Sequence, residues 1–222
     1  AAAGGICPLL ALLASRSSIV QWKGMAALAQ LARSNKQNQD TIAGEMGGLK
    51  PLIALLDSIG NPPDVQAYAA FALMEITKSN SVNQKMVVEL GGIEQLAVLM
   101  RQSMHEEVKA EAAGTLWALS EQPEIKEAIA AANTMQPIVD LLGSGHSRAR
   151  EHAANALSSL ARDSTTNQEQ ITQMLIELLG SGSEEAQQRA ADALWSLVNE
   201  NPGAHETIAG AGNPTSLVAL LK

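Results

Sequence analysis

Two kinds of apolar block alternate along this chain. The first is a compact run closing on a Leu-Leu pair or its equivalent, at 8–13, 51–56, 96–100, 137–142, 174–179 and 216–221. The second reads Ala-Ala-x-x-Leu-x-x-Leu, at 112–120, 153–161 and 190–198, with looser copies at 69–77 and 25–32. From Leu13 through Leu56, Met100, Leu142, Leu179 and Leu221, the steps are 43, 44, 42, 37 and 42 residues. Self-similarity at such a period marks a helical solenoid, in which each unit buries its apolar face only against its neighbours.

Three helices are predicted in each unit. The first is short and ends at a glycine pair, over 38–46 before Gly47-Gly48 and over 83–90 before Gly91-Gly92. Glycine suits that place because a helix often ends on a residue with positive φ. The Leu-Leu block is the second helix. The third and longest carries the Ala-Ala motif, where Val108, Ala112, Leu116 and Leu119 fall on one buried face. Asp64 after Pro62-Pro63, and Ser103 with Glu106, mark third-helix starts; Ser81 with Gln84 and Thr166 with Glu169 read as capping boxes of first helices. The 37-residue step has lost the glycine-ended turn between Ile171 and Met174, so first and second helices there should run together and distort the stacking. The extra turn at 60–63 is a tolerated edge loop.

Composition narrows the class. Hydrophobic residues make up 46% of the chain but aromatics only 2%, so the core is built from Ala, Leu, Ile, Val and Met. The net charge of −8 opposes nonspecific nucleic-acid binding, which needs Lys and Arg against phosphates. Cys7 is the sole cysteine, which excludes an internal disulfide and a Cys-based metal site. No apolar run reaches the length of a membrane span, no secretory signal opens the chain and no Asn-x-Ser/Thr acceptor occurs. An intracellular, cytoplasmic setting is the expectation, with nucleus and organelles left open.

The combination Gly-Gly-Ile/Leu-x-x-Leu-x-x-Leu-Leu, a polar turn, then Ala-Ala-x-x-Leu-x-x-Leu resembles the armadillo repeat over the whole chain. The resemblance implies an all-α, right-handed armadillo-repeat solenoid of about five stacked units. The units read as a partial repeat over 1–46, repeats over 47–90, 91–132, 133–171 and 172–211, and a partial repeat over 212–222. Both ends fall inside a repeat, so the expectation is a segment of a longer array.

The resemblance also implies a concave groove lined by third helices. In the importin-α type, Trp and, one turn later, Asn form a ladder that holds an extended peptide. The Trp positions here are Ala26, Phe71, Gly114, Asn155 and Asp192, and the Asn positions are Gln30, Glu75, Ala118, Ser159 and Ser196. None carries its ladder residue, which opposes a nuclear-import adaptor. The candidate groove set is Trp22, Phe71, Glu75, Gly114, Ala118, Glu151, Asn155, Ser159, Asp192 and Ser196. It predicts an apolar N-terminal half, a flat middle of small residues, and a polar, acidic C-terminal half, suited to a partner segment with an apolar and a basic part. A solvated face without a ligand is the competing reading. Trp117 and Trp195 stand at equivalent positions, for which packing between repeats competes with a partner-facing anchor.

No other chemistry emerges. His146, Arg148, Arg150 and His152 form a basic cluster that reads as a solvated helix start more readily than an anion site. No His has a partner at metal-ligand spacing, the Gly-Ser-Gly turns at 143–145 and 180–182 do not continue into a phosphate loop, and no nucleophile has a base and an orienting group. The sequence therefore reads as a non-catalytic protein-interaction scaffold without cofactor, metal or small-molecule substrate. Its partner is a protein segment in the groove. A structural subunit bound through its outer faces, or the substrate-binding part of a ubiquitin ligase, stays open.

Overall fold

The computed structural model describes residues 3–57 and 59–200. Among them are thirteen α-helices and no strand. They run α1 (Ile6–Leu12), α2 (Ser18–Ala32), α3 (Lys36–Asp40), α4 (Leu49–Ala54), α5 (Pro63–Thr77), α6 (Ser81–Glu89) and α7 (Gly92–Gln102). They continue as α8 (Glu106–Leu119), α9 (Pro123–Ala131), α10 (Met135–Asp140), α11 (Ser147–Ala161), α12 (Thr165–Ser181) and α13 (Glu184–Glu200). The third helices are α2, α5, α8, α11 and α13. The first four pack on one another in sequence, and one continuous apolar core runs from Ile6 to Leu197. This is the all-α solenoid that the period predicts. The last Leu-Leu block, 216–221, and the proposed end of the 172–211 unit lie outside the described residues.

One corner recurs where a third helix turns into the next first helix. Arg33, Lys78 and Arg162 leave the helix with extended ψ, and Ser34, Ser79 and Asp163 follow at φ 53°, 54° and 60°. Asn35, Asn80 and Ser164 then accept through their side chains from the backbone N–H of Asn38, Asn83 and Asn167. Those three asparagines donate back to the carbonyls of Leu31, Ile76 and Leu160. The caps thus differ from the predicted capping boxes. Asn80 caps α6 in place of Ser81, Ser164 caps α12 in place of Thr166, and Ser103 accepts from the His105 N–H just before α8.

Both members of the glycine pairs are needed, for different reasons. Gly47 and Gly91 take φ of +61° and +74°, where a Cβ is disfavoured. Their neighbours sit against backbone: a Cβ on Gly48 would stand 2.7 Å from the Ile42 carbonyl oxygen, and one on Gly92 2.9 Å from that of Val87. Gly92→Ala should therefore destabilise by about 1–3 kcal/mol, as overpacked sites do. Gly44→Ala, with open space around its Cβ, should change the denaturation midpoint little.

The predicted fusion at the short step is complete, since α12 is one helix of 17 residues. Its stacking consequence is also visible. α13 packs chiefly on α12 and only lightly on α11, unlike the tight pairs α2–α5, α5–α8 and α8–α11.

Candidate functional site

The N-terminal half of the groove is covered by its own cations. Phe71 on α5 is buried, with the guanidinium of Arg33 5.7 Å and that of Arg148 5.3 Å from its ring centre. Arg33 donates to Glu75 at 3.2 Å, and Arg148, at the start of α11, donates to Glu111 on α8 at 2.8 Å. Trp22 stacks on Tyr68, centroids 5.0 Å apart, with the Lys23 ammonium 5.6 Å from its ring. A cavity of about 320 Å³ remains between Ala26, Ala67, Tyr68, Glu107 and the two arginines. The sequence predicts an apolar surface for this half; Trp22 and Phe71 are there, but the half is strapped by ion pairs and is not an open apolar surface.

Glu111 is the electrostatic centre of that half. It is 3% exposed, and its Oε2 has no hydrogen-bond partner. Burial drives its pKa up from 4.5 to about 7, against the pull of Arg148 and with help from Glu107 and Glu75.

The flat middle is not a surface at all. Ala110, Gly114 and Ala118 are buried. His152 of α11 lies over them, its Nδ1–H donating to the Ala110 carbonyl at 2.8 Å; a Cβ on Gly114 would stand 2.5 Å from that nitrogen and 2.8 Å from the Met74 sulfur. Burial holds the His152 pKa below its usual value. Gly114 and Ala118 therefore admit the neighbouring helices and present nothing to a partner. Ser159 also serves the stack, exchanging hydrogen bonds with Ser120. The basic cluster is likewise absorbed and is not a free, solvated start: His146 accepts from the Ala149 N–H, Arg148 holds Glu111, and Arg150 donates to the Ser144 carbonyl at 2.7 Å.

The C-terminal half is different. Glu151 and Asn155 of α11 face Asp192 and Ser196 of α13 across a cleft of about 440 Å³. Its walls are Leu142, Ala154, Leu157, Ala193 and Leu197, and its rim adds Ser147, Arg150, Ser158 and Arg189. Arg189 pairs loosely with Asp192 at 3.7 Å. Four of the ten candidate residues are thus brought together, and the cleft exists because α13 stands off from α11. Trp117 is half-buried, with Lys78 5.1 Å from its ring and His152 at 6.4 Å, whereas its equivalent Trp195 is 69% exposed. The arginine straps and the His152 cover escape sequence reading, because each joins residues about 40 apart whose pairing depends on helix rotation. Among the described residues, no group of His, Cys, Asp and Glu could hold a metal ion, and no helix is long and apolar enough to cross a membrane.

Comparison with known proteins agrees with this architecture. The family model described as Armadillo/beta-catenin-like repeat matches residues 80–121 and 122–162, each match opening on a first helix. The juxtamembrane domain-associated catenin of Caenorhabditis elegans is 34% identical over 119 residues, 51% of this chain; the match spans 9% of that protein's length. The crystal structure of an engineered protein superposes with a TM-score of 0.77 at 31% identity, covering 98% of this chain and 89% of the other. A designed armadillo repeat protein in complex with the peptide (KR)4 superposes at 0.75 and 22% identity, covering 97% and 91%. The chain carries armadillo repeats over residues 80–162, and the described residues fold as an armadillo-repeat α-solenoid.

Proposed function

We propose that this protein is a non-catalytic scaffold that holds an extended segment of a partner protein along its third helices, with the α11–α13 cleft as the anchoring pocket. One observation carries the reading: Glu151, Asn155, Asp192 and Ser196 converge on a cleft of about 440 Å³ with apolar walls between α11 and α13. The leucines of the cleft suit an apolar side chain or the aliphatic stem of a basic one. Glu151 on the rim suits its charged head. The Asn155 carboxamide, both donor and acceptor, suits a main-chain amide. The designed armadillo repeat protein solved in complex with the peptide (KR)4 supports a peptide segment as the partner. The reducing, intracellular setting expected from a lone cysteine goes with this proposal.

Peptides selected on the wild type from a displayed random library test it. Ala154→Trp, which fills the cleft from an exposed position, should weaken their binding at least tenfold, and Asn155→Ala should cost about 1–3 kcal/mol through the lost amide bonds. Trp22→Ala should leave binding unchanged. Equal affinity for the Ala154→Trp protein would move the interface elsewhere. Exposed Trp195 favours one such second reading, a structural subunit docked through the face of α13.

A further inference from the structure

Neighbouring units are tied together by long polar side chains from the first helices. Gln39 Nε2 donates to the carbonyls of Glu75 and Lys78, at the end of the following third helix. Gln84 Nε2 donates to Thr77 O at 3.1 Å and Ala118 O at 2.9 Å, joining the ends of α5 and α8. In the next unit Lys126 Nζ donates to Arg162 O at 2.6 Å, reaching the end of α11. Gln168 holds the same place on α12, one residue after the corner asparagine Asn167, as Gln39 follows Asn38 and Gln84 follows Asn83. Yet its Nε2 is buried without a hydrogen-bond partner, and so is Thr172 Oγ1 one turn further on.

A buried donor left unpaired is costly, and natural folds rarely leave one. Here two lie one turn apart on α12, beside a third helix that stands off from its neighbour. By analogy with Gln84, the carbonyls missing from Gln168 are those of Ala161, seven residues before it as Thr77 is before Gln84, and of Ser196, which corresponds to Ala118. α12 itself is fixed to α11, since Asn167 Nδ2 donates to Leu160 O at 3.1 Å. The helix packed only lightly on α11 is α13, and it joins α12 at Gly182. That residue breaks the helix in an extended conformation and packs so closely that a Cβ would stand 2.7 Å from Leu178 O.

We infer that α13 swings about Gly182 between the open position described above and a closed one, in which Gln168 clamps the ends of α11 and α13 together and the cleft is shut. The two positions exclude one another: the clamp needs Ser196 at the end of α11, and the cleft needs Ser196 away from it. The deletion that fuses α12 removes the turn that would let the closed position dominate, so the clamp and the fused helix pull α13 in opposite directions. The functional consequence rests on the reading of the cleft as a binding site: a partner segment that enters the cleft holds α13 open, and closure expels it.

Distances between spin labels at Glu127 and Asn199, both exposed, read this motion once Cys7 has been changed to Ser. The intact chain should give two distance populations. Gln168→Leu should deplete the shorter one roughly five- to tenfold, as expected for the loss of one or two net hydrogen bonds. A cleft-binding peptide should deplete it likewise. A single distance in the wild type, unmoved in the Gln168→Leu protein, overturns the hinge. Two populations that respond to Gln168→Leu but to no selected peptide uphold the hinge and sink the binding reading alone. Gln84→Leu, which removes a clamp already formed, should lower stability and leave the two populations in place.

Discussion

Leu116→Ala should lower the unfolding free energy by about 2–5 kcal/mol, the range for truncating a fully buried leucine. Leu116 has no exposed surface and lies in the C-terminal half of α8, the helix packed between α5 and α11. Leu157, the equivalent residue of α11, is 1% exposed and should behave alike. In a solenoid the loss also spreads, because each unit is stabilised by its interfaces with the two beside it. Urea denaturation midpoints decide the matter: near-wild-type values for both variants would mean that the Ala-Ala-x-x-Leu stripe is not the buried seam.

The second large effect is a pH dependence that belongs to Glu111. Its pKa is about 7 in the folded chain against 4.5 in the unfolded one. Between those values the folded protein keeps a proton that the unfolded chain releases, so raising the pH favours unfolding. The contribution is fully present below about 4.5 and is lost as pH rises through about 7. At 1.36 kcal/mol per pKa unit it amounts to roughly 3 kcal/mol at most. His152 works in the other direction, because a histidine held neutral by burial loses stability as pH falls through its ordinary range. The difference between wild type and Glu111→Gln, measured by denaturation at pH 5 and pH 8, isolates the carboxyl group. The wild type should lose ground to the variant on going to pH 8. A difference independent of pH would mean that Glu111 is ionised throughout and that Arg148 outweighs its burial.

Much of the fold was legible because its determinants are local. The 43-residue period, the glycine pairs and the missing turn after Ile171 each dictate a helix or a break from adjacent residues alone, and the structure places helices and breaks accordingly. The site was legible only where the chain departs from regularity. Glu151, Asn155, Asp192 and Ser196 face an opening because the fused α12 leaves α13 apart from α11. In the regular part the same register positions are taken by the stack. Gly114 is covered by His152, Ala118 is buried beside it, and Ser159 is bonded to Ser120. A register counted from the Leu-Leu pairs gives the side of a helix, but not whether a neighbour's side chain already lies across it. Arg148 illustrates the limit. Its sequence neighbours suggest a solvated helix start, whereas its length carries it over the small residues of α8 to Glu111 and the ring of Phe71.

The recurring corner has a consequence for how such a chain can change in length. Its capping hydrogen bonds join residues no more than seven apart, from Asn35 to Asn38 and from Asn38 to Leu31, and again from Asn80 to Asn83 and from Asn83 to Ile76, whereas Ser79 and Asn80 also reach Glu121 and Asp40 in the neighbouring units. A deletion running from Asn35 through Ser79 would therefore join Ser34 to Asn80 and rebuild the same corner, with one whole unit gone and no local geometry altered. Only the longer ties would register the loss, since Arg33 would face a different third helix and the Glu75 carboxylate it now holds would be absent. Chain length in this molecule is thus limited by the match between consecutive units, and the joints themselves accept a cut.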